Sequence, residues 1–154
     1  MSSGKIVAIY ISPDAGAPML SVKDVPAIAR EGLLGDRYCK GEGSFNKGKV
    51  GRRQVTLINA RFIPQSWRGL MTRRNIVTEG VELNWLVGRE FRLCDGVVMR
   101  GVKYCDPCKR PSKLLGIEES FQEVFFDCGG IVAEILEEGL LTVGGTVVPP
   151  PKGY

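Results

Sequence analysis

Histidine is absent from this chain of 154 residues. Its absence removes the usual general base near neutral pH, the commonest nitrogen ligand for zinc, and every Ser–His or Cys–His catalytic pair. Chemistry here must rest on Cys, Asp, Glu, Lys, Arg, Tyr or a bound cofactor. No apolar run approaches the ~20 residues of a membrane-spanning helix, and the opening MSSGKIVAIYISPD lacks the apolar core of a signal peptide. No membrane contact is expected. Strong charge is lacking too: 21 Lys and Arg against 17 Asp and Glu leave a formal +4. Nucleic-acid binding needs a dense basic face, so it is not expected, and a small anion is the better match. The five cysteines cannot all pair within one chain, so free thiols in a reducing cytoplasm are the expected setting.

Hydrophobic residues at 44% and charged residues at 25% are ordinary for a globular protein. The length suits one domain spanning residues 1–154, large enough to bury roughly two-thirds of its unfolded surface. Twenty glycines and nine prolines are scattered along the chain. Such spacing favours many short strands joined by tight turns over a helical bundle. Strands are expected at Lys5–Ser12, at Met19–Val25 with Pro26 closing it or at an edge, and at Val55–Ile58. Further strands are expected after Arg73–Asn75, over Arg89–Leu93, over Val97–Val102 after a hairpin at Asp95–Gly96, and over Ile131–Leu136 and Leu140–Val148. Short helices fit Asn59–Trp67, broken by Pro64, and Glu118–Phe126. Leu83, Trp85 and Leu86 read as core. The fold class is mainly β, a closed or nearly closed barrel with a few short peripheral helices.

The stretch GVKYCDPCKRPSKLL, residues 101–115, carries the sharpest chemistry. Cys105 and Cys108 stand in a C-x-x-C step, with Pro107 before the second and Lys103, Lys109 and Arg110 around them. Positive charge and backbone N–H groups favour the thiolate, the form that attacks electrophiles and binds soft metals. The same residues also fit a surface turn with two inert thiols, a dithiol redox pair, or zinc ligands completed by Cys39, Cys94 or Cys128. Zinc normally takes four ligands, and only one C-x-x-C step is present.

Arginines recur on turns. Asp36–Arg37 lies in the glycine-rich EGLLGDRYCKGEGSF, residues 31–45, Arg52 and Arg53 precede the Val55 strand, and Arg73 and Arg74 precede Asn75. Asp36–Arg37 fits a local ion pair, or an arginine on a stiff loop gripping an oxyanion. Three arginine-bearing turns in one small domain point to a shared anion pocket.

GLLGDRY (32–38), RQVTLI (53–58), RRNIVTEGVELNWLVGREFRL (73–93), CDPC (105–108) and GGIVAEILEEGLLTVGGTV (129–147), in this order, resemble a MOSC domain, the module named for the C-terminal part of molybdenum-cofactor sulfurases. The likeness runs from about residue 30 to the end and is to stand-alone bacterial or archaeal members. It implies a MOSC-type β-barrel that binds the molybdenum cofactor (molybdopterin) through one cysteine, which ligates the metal or carries sulfur. The resemblance places that cysteine at Cys108, with Cys105 a second thiol beside it and Lys109 favouring the thiolate. Asp36, Arg37, Arg73, Arg74 and Asn75 match segments expected to line the pterin pocket. The implied roles are reduction of N-hydroxylated compounds or sulfur transfer to metal centres, or else cofactor carriage without turnover. The implied partners are a separate electron donor or cysteine desulfurase, and a molybdoenzyme acceptor. Two departures are Gly144–Gly145, where a Gly-Asp step is common, and Asp127–Cys128, where a basic residue is frequent.

Overall fold

The computed structural model describes residues 3–14, 16–39, 54–63, 72–94, 96–105 and 129–151. Eleven strands are formed among them: β1 (Gly4–Ile11), β2 (Leu20–Val22), β3 (Asp24–Ile28), β4 (Gly32–Leu33), β5 (Val55–Asn59), β6 (Ile76–Glu79), β7 (Glu90–Leu93), β8 (Val97–Tyr104), β9 (Ile131–Glu137), β10 (Gly139–Thr142) and β11 (Thr146–Val148). Two short 3-10 turns, Ala60–Phe62 and Leu83–Leu86, stand between the strands. None of the described helices is long and apolar enough to cross a membrane.

Seven strands close into a barrel in the order β11-β7-β8-β9-β5-β6-β1, and the pairing of β11 with β1 completes the ring. Antiparallel neighbours alternate in direction, so an odd ring needs at least one parallel pair. That pair is β5–β6, with Leu57 opposite Ile76. On the other flank of β5 runs antiparallel β9, with Leu57 opposite Ile131. Strands β6 and β9 therefore start level with the same residue and run in opposite directions along β5. The turns that lead into them, Thr72–Asn75 and Gly129–Gly130, come to lie on either side of one strand.

Every residue of β5 is buried. Val55 and Leu57 join the main core. Ile58 packs with Val77 in a second cluster, covered by Val7, Tyr10 and Ile63. The main core is aliphatic, built around Ile6, Ile9, Leu57, Leu86, Leu93, Met99 and Ile135. Burying each such side chain contributes about 1.5–3 kcal/mol. A three-stranded sheet, β10-β3-β4, adds Val25, Ala27, Leu33 and Leu141 to that core.

Strand expectations hold at Lys5–Ser12, Val55–Ile58 and Ile131–Leu136, each within a residue or two. The region read as Met19–Val25 is two strands, and β3 runs through Pro26. Pro26 still takes part in pairing because its carbonyl oxygen accepts from the Leu34 backbone N–H. The run expected as one strand over Leu140–Val148 is broken at Gly144–Gly145, so β10 pairs with β3 while β11 pairs with β1 and β7. Leu83 and Leu86 are buried as expected, and Trp85 packs against the core while only partly covered. The helix expected at Asn59–Trp67 is a single 3-10 turn over its described part. The Glu118–Phe126 helix lies outside the described residues.

Candidate functional site

Among the described residues the only buried charged residues are Asp36, Arg37, Arg73 and Arg74. Charged groups are seldom buried unless partnered, and these four belong to one polar network.

The network starts where β1 ends. Ser12, completely buried, donates its backbone N–H to Asp36 Oδ1 at 2.9 Å, and its carbonyl oxygen accepts from the Arg37 N–H at 2.7 Å. Asp36 Oδ2 accepts from the Tyr38 N–H at 3.2 Å. Arg37 Nη1 pairs with Asp36 Oδ1 at 3.1 Å. The other guanidinium nitrogen, Nη2, donates to Tyr38 Oη at 3.1 Å, and the guanidinium carbon lies 4.2 Å from the centroid of that ring. Arg37 is thus held from two sides on a loop stitched to the barrel, the rigid mounting an oxyanion-gripping arginine requires.

Ser12 Oγ shares its single proton between Asp14 O at 2.8 Å and Ala17 O at 2.9 Å, and the Ala17 oxygen also accepts from Arg73 Nη1 at 2.8 Å. One backbone carbonyl therefore ties the Asp36–Arg37 loop to the turn before β6. Arg73 has a left-handed backbone, φ 58°, which costs a non-glycine residue about 1–2 kcal/mol. The kink sends neighbouring side chains to different partners: Arg73 reaches the chain after β1, whereas Arg74 Nε reaches Gly129 O at 2.8 Å, ahead of β9.

Asn75 sits under this turn and is completely buried. Its Oδ1 accepts from Thr56 N at 3.0 Å and Thr56 Oγ1 at 3.1 Å, and its Nδ2 donates to Tyr10 O at 3.1 Å. The carboxamide therefore pins β1, β5 and the start of β6 together.

The network ends at a thiol. Gly130 O accepts from the Cys105 N–H at 2.8 Å, and Cys105 is buried. Gly130 has φ 89°, and a Cβ there would stand 1.9 Å from Leu57 O. Only glycine fits so close to β5.

Asp36, Arg37, Arg73, Arg74, Asn75 and Cys105 are thus joined by continuous contacts. Cys108 and Lys109 lie outside the described residues, as do Arg52, Arg53 and Arg110. Among the described residues no three of His, Cys, Asp or Glu are grouped to hold a metal ion. Ser12, Tyr38, Thr56 and the Ala17 carbonyl were not singled out in the sequence. Tyr38 and Thr56 do lie inside the motifs GDRY and QVTLI, whereas Ser12 and Ala17 carry no local signal.

Three guanidiniums and one carboxylate thus belong to one network of net positive charge among the described residues. A guanidinium offers five N–H donors in a planar fork, so a backbone carbonyl and a phosphate can be served by the same side chain. A soft thiol at the end of the network adds the donor type that molybdenum favours. The chemistry of this donor set fits a phosphate-bearing molybdenum pterin.

Solved structures share the fold. The YuaD protein from Bacillus subtilis aligns with a TM-score of 0.77 at 16% identity, over 95% of this chain and 94% of that one. YiiM from Geobacillus stearothermophilus aligns with a TM-score of 0.71 at 12% identity, over 98% of this chain and 77% of that one. For YiiM from Escherichia coli the values are 0.62 and 13%, over 96% and 70%. Identities this low establish the fold alone. No curated protein gives a significant match. The family model for the MOSC domain matches residues 50–148, well over half of the chain, and the protein therefore belongs to the MOSC domain family, which is associated with binding of the molybdenum cofactor.

Proposed function

We propose that this protein binds the molybdenum cofactor, with Cys108 as the metal ligand or sulfur carrier, in a cytoplasmic, reducing setting. The observation that carries the proposal is the gathering of Arg37, Arg73 and Arg74 into one network that ends at Cys105. Buried guanidiniums are well suited to a phosphate because their fork matches its oxygens bidentately and burial reduces screening. In this reading Arg37 and Arg73 hold the anionic arm of the pterin. Arg74 holds the double glycine from which Cys105 is hung. Asp36 fixes Arg37, and Lys109 favours the thiolate of its neighbour Cys108.

The cofactor, when bound, supplies the redox or sulfur chemistry; the chain supplies anion binding, thiol placement and exclusion of water. Reduction of N-hydroxylated compounds would require a separate electron donor, since no flavin, haem or iron–sulfur motif is present in the sequence. Sulfur transfer would instead require a cysteine desulfurase upstream and a molybdoenzyme acceptor downstream. Incubation with a desulfurase and cysteine, followed by intact-mass analysis, separates the two, because only sulfur transfer leaves a persulfide on Cys108.

Cofactor reconstitution tests the binding. Wild-type protein exposed to released molybdenum cofactor should retain molybdenum and pterin together through gel filtration. Cys108→Ser should keep the pterin and lose most of the metal, and Arg37→Met should lose both. Full molybdenum occupancy in Cys108→Ser, or no uptake by the wild type, overturns the reading.

A further inference from the structure

At the other end of β6 from the arginine network, the chain forms a cavity of about 340 Å³ lined by Asn59, Arg61, Thr78, Glu79, Gly80, Val81 and Glu82. Nothing in the proposed cofactor site uses it. Two of its lining residues face each other across the parallel strands, Asn59 at the end of β5 opposite Thr78 of β6.

Asn59 is the unusual residue. It occupies the N-cap of the Ala60–Phe62 turn, where an asparagine normally bonds back to the backbone, yet its side chain makes no capping bond. Only 5% of the residue is exposed. Its Oδ1 accepts from Thr78 Oγ1 at 3.1 Å, and its Nδ2 has no hydrogen-bond partner among the described residues. Its NH2 group, on the cavity lining, is the donor the site offers to an occupant.

The walls are fixed. Gly4 lies so close to the opposite strand that a Cβ would meet Glu79 O at 2.4 Å, and Gly80, at φ 78°, would bring its own to 3.3 Å from Gly4 Cα. On the rim Arg61 pairs with Glu82 and stacks over Phe62 at 4.7 Å, while Glu79 pairs with Lys5 at 3.2 Å. Each rim carboxylate already has a cation, so a ligand with net charge gains little here. Because the Thr78 hydroxyl serves as donor or acceptor, the Asn59 carboxamide can present either edge to the cavity. A ligand with both a carbonyl oxygen and N–H groups complements both edges, and its remaining N–H reaches the rim carboxylates.

We infer that this cavity is a second binding site, taking a small uncharged carboxamide whose oxygen and N–H groups pair with Asn59 and whose outer N–H faces Glu79 or Glu82. The inference does not rest on the cofactor reading, and no cofactor is needed to test it.

The test is an NMR titration of the 15N-labelled protein with propionamide, and with propionate and 1-propanol as controls of similar size. Propionamide should give saturable shifts at the Asn59 side-chain NH2 and the Gly80 amide, and the controls should give none that saturate. Asn59→Asp should weaken propionamide binding about tenfold, the loss of one well-placed hydrogen bond. Glu82→Gln, an exposed change that spares the fold, should weaken it by a smaller factor. Absence of a saturable shift, equal response to propionate, or unchanged affinity in a folded Asn59→Asp protein would overturn the inference.

Discussion

Arg74 and Cys105 are coupled through two consecutive glycines: the guanidinium Nε bonds Gly129 O at 2.8 Å, and the Cys105 backbone N–H bonds Gly130 O at 2.8 Å. The turn before β6 thereby governs where β8 ends and the cysteine segment begins. An arginine matched to a phosphate by sequence motif is, in the fold, also the hook that holds the thiol's backbone in place.

Arg74→Ala should therefore loosen Cys105 as well as lower stability. Losing a buried charge-assisted hydrogen bond costs about 1.5–3 kcal/mol. Cys105 is almost completely buried, so iodoacetamide should modify it severalfold faster in the variant, read by peptide mass mapping under native conditions. An unchanged modification rate would mean that the double glycine is held without Arg74.

Gly130 and Gly88 make a controlled comparison. Both have positive φ, 89° and 81°, but a Cβ at Gly130 collides with Leu57 O at 1.9 Å whereas one at Gly88 meets nothing within 4 Å. Gly88→Ala pays only for the left-handed backbone, about 1–2 kcal/mol. Gly130→Ala must also relieve the clash with the β5 backbone, and should cost about 1–3 kcal/mol more or prevent folding. Urea denaturation of both variants checks the ranking.

The strands were legible because alternation and β-branched residues mark them: Lys5–Ser12 and Val55–Ile58 stand out from composition alone, and both form. What the sequence hid was mostly long-range. Nothing near Thr146–Val148 announces that β11 will seal the ring against both β1 and β7. The break at Gly144–Gly145 was hidden because apolar residues flank it evenly. Pro26, expected to close the strand or to sit at an edge, lies in β3, the middle strand of β10-β3-β4, where its carbonyl accepts from Leu34 N–H and no N–H is needed. At the candidate site, GDRY and RRN were visible as motifs, but their connection runs through Ser12 Oγ and the Ala17 carbonyl. A backbone carbonyl leaves no signature in sequence, so that link could only come from the fold.

Asn75 should behave as a structural clamp whatever else it touches. Asn75→Ala removes three hydrogen bonds to Thr56 and Tyr10 and strands their groups in a dry interior. At about 1 kcal/mol per bond, the cost is about 3 kcal/mol before any cavity is counted. Equilibrium unfolding in urea measures it. A drop below 1 kcal/mol would show that Thr56 and Tyr10 find other partners.

The Asp36–Arg37 pair tests whether the loop's buried charge is mutual support or a one-sided demand. Asp36 is completely inaccessible and its oxygens serve Ser12 N, Tyr38 N and Arg37 Nη1, so its removal leaves two backbone donors and a guanidinium without their acceptor. Breaking a buried ion pair by deleting one partner typically costs about 3–5 kcal/mol. Asp36→Asn keeps the size and one acceptor oxygen, and should fall near the lower end. Arg37→Met keeps much of the side-chain volume and leaves the carboxylate with its two backbone donors, so it should cost less. In the double variant neither charge is orphaned, and the combined loss should be smaller than the sum by about 2 kcal/mol, within the coupling seen for contacting residues. A urea double-mutant cycle supplies the four stabilities. Simple additivity would mean that Arg37 is neutralised elsewhere, and that Asp36 acts only through the loop backbone it ties to Ser12.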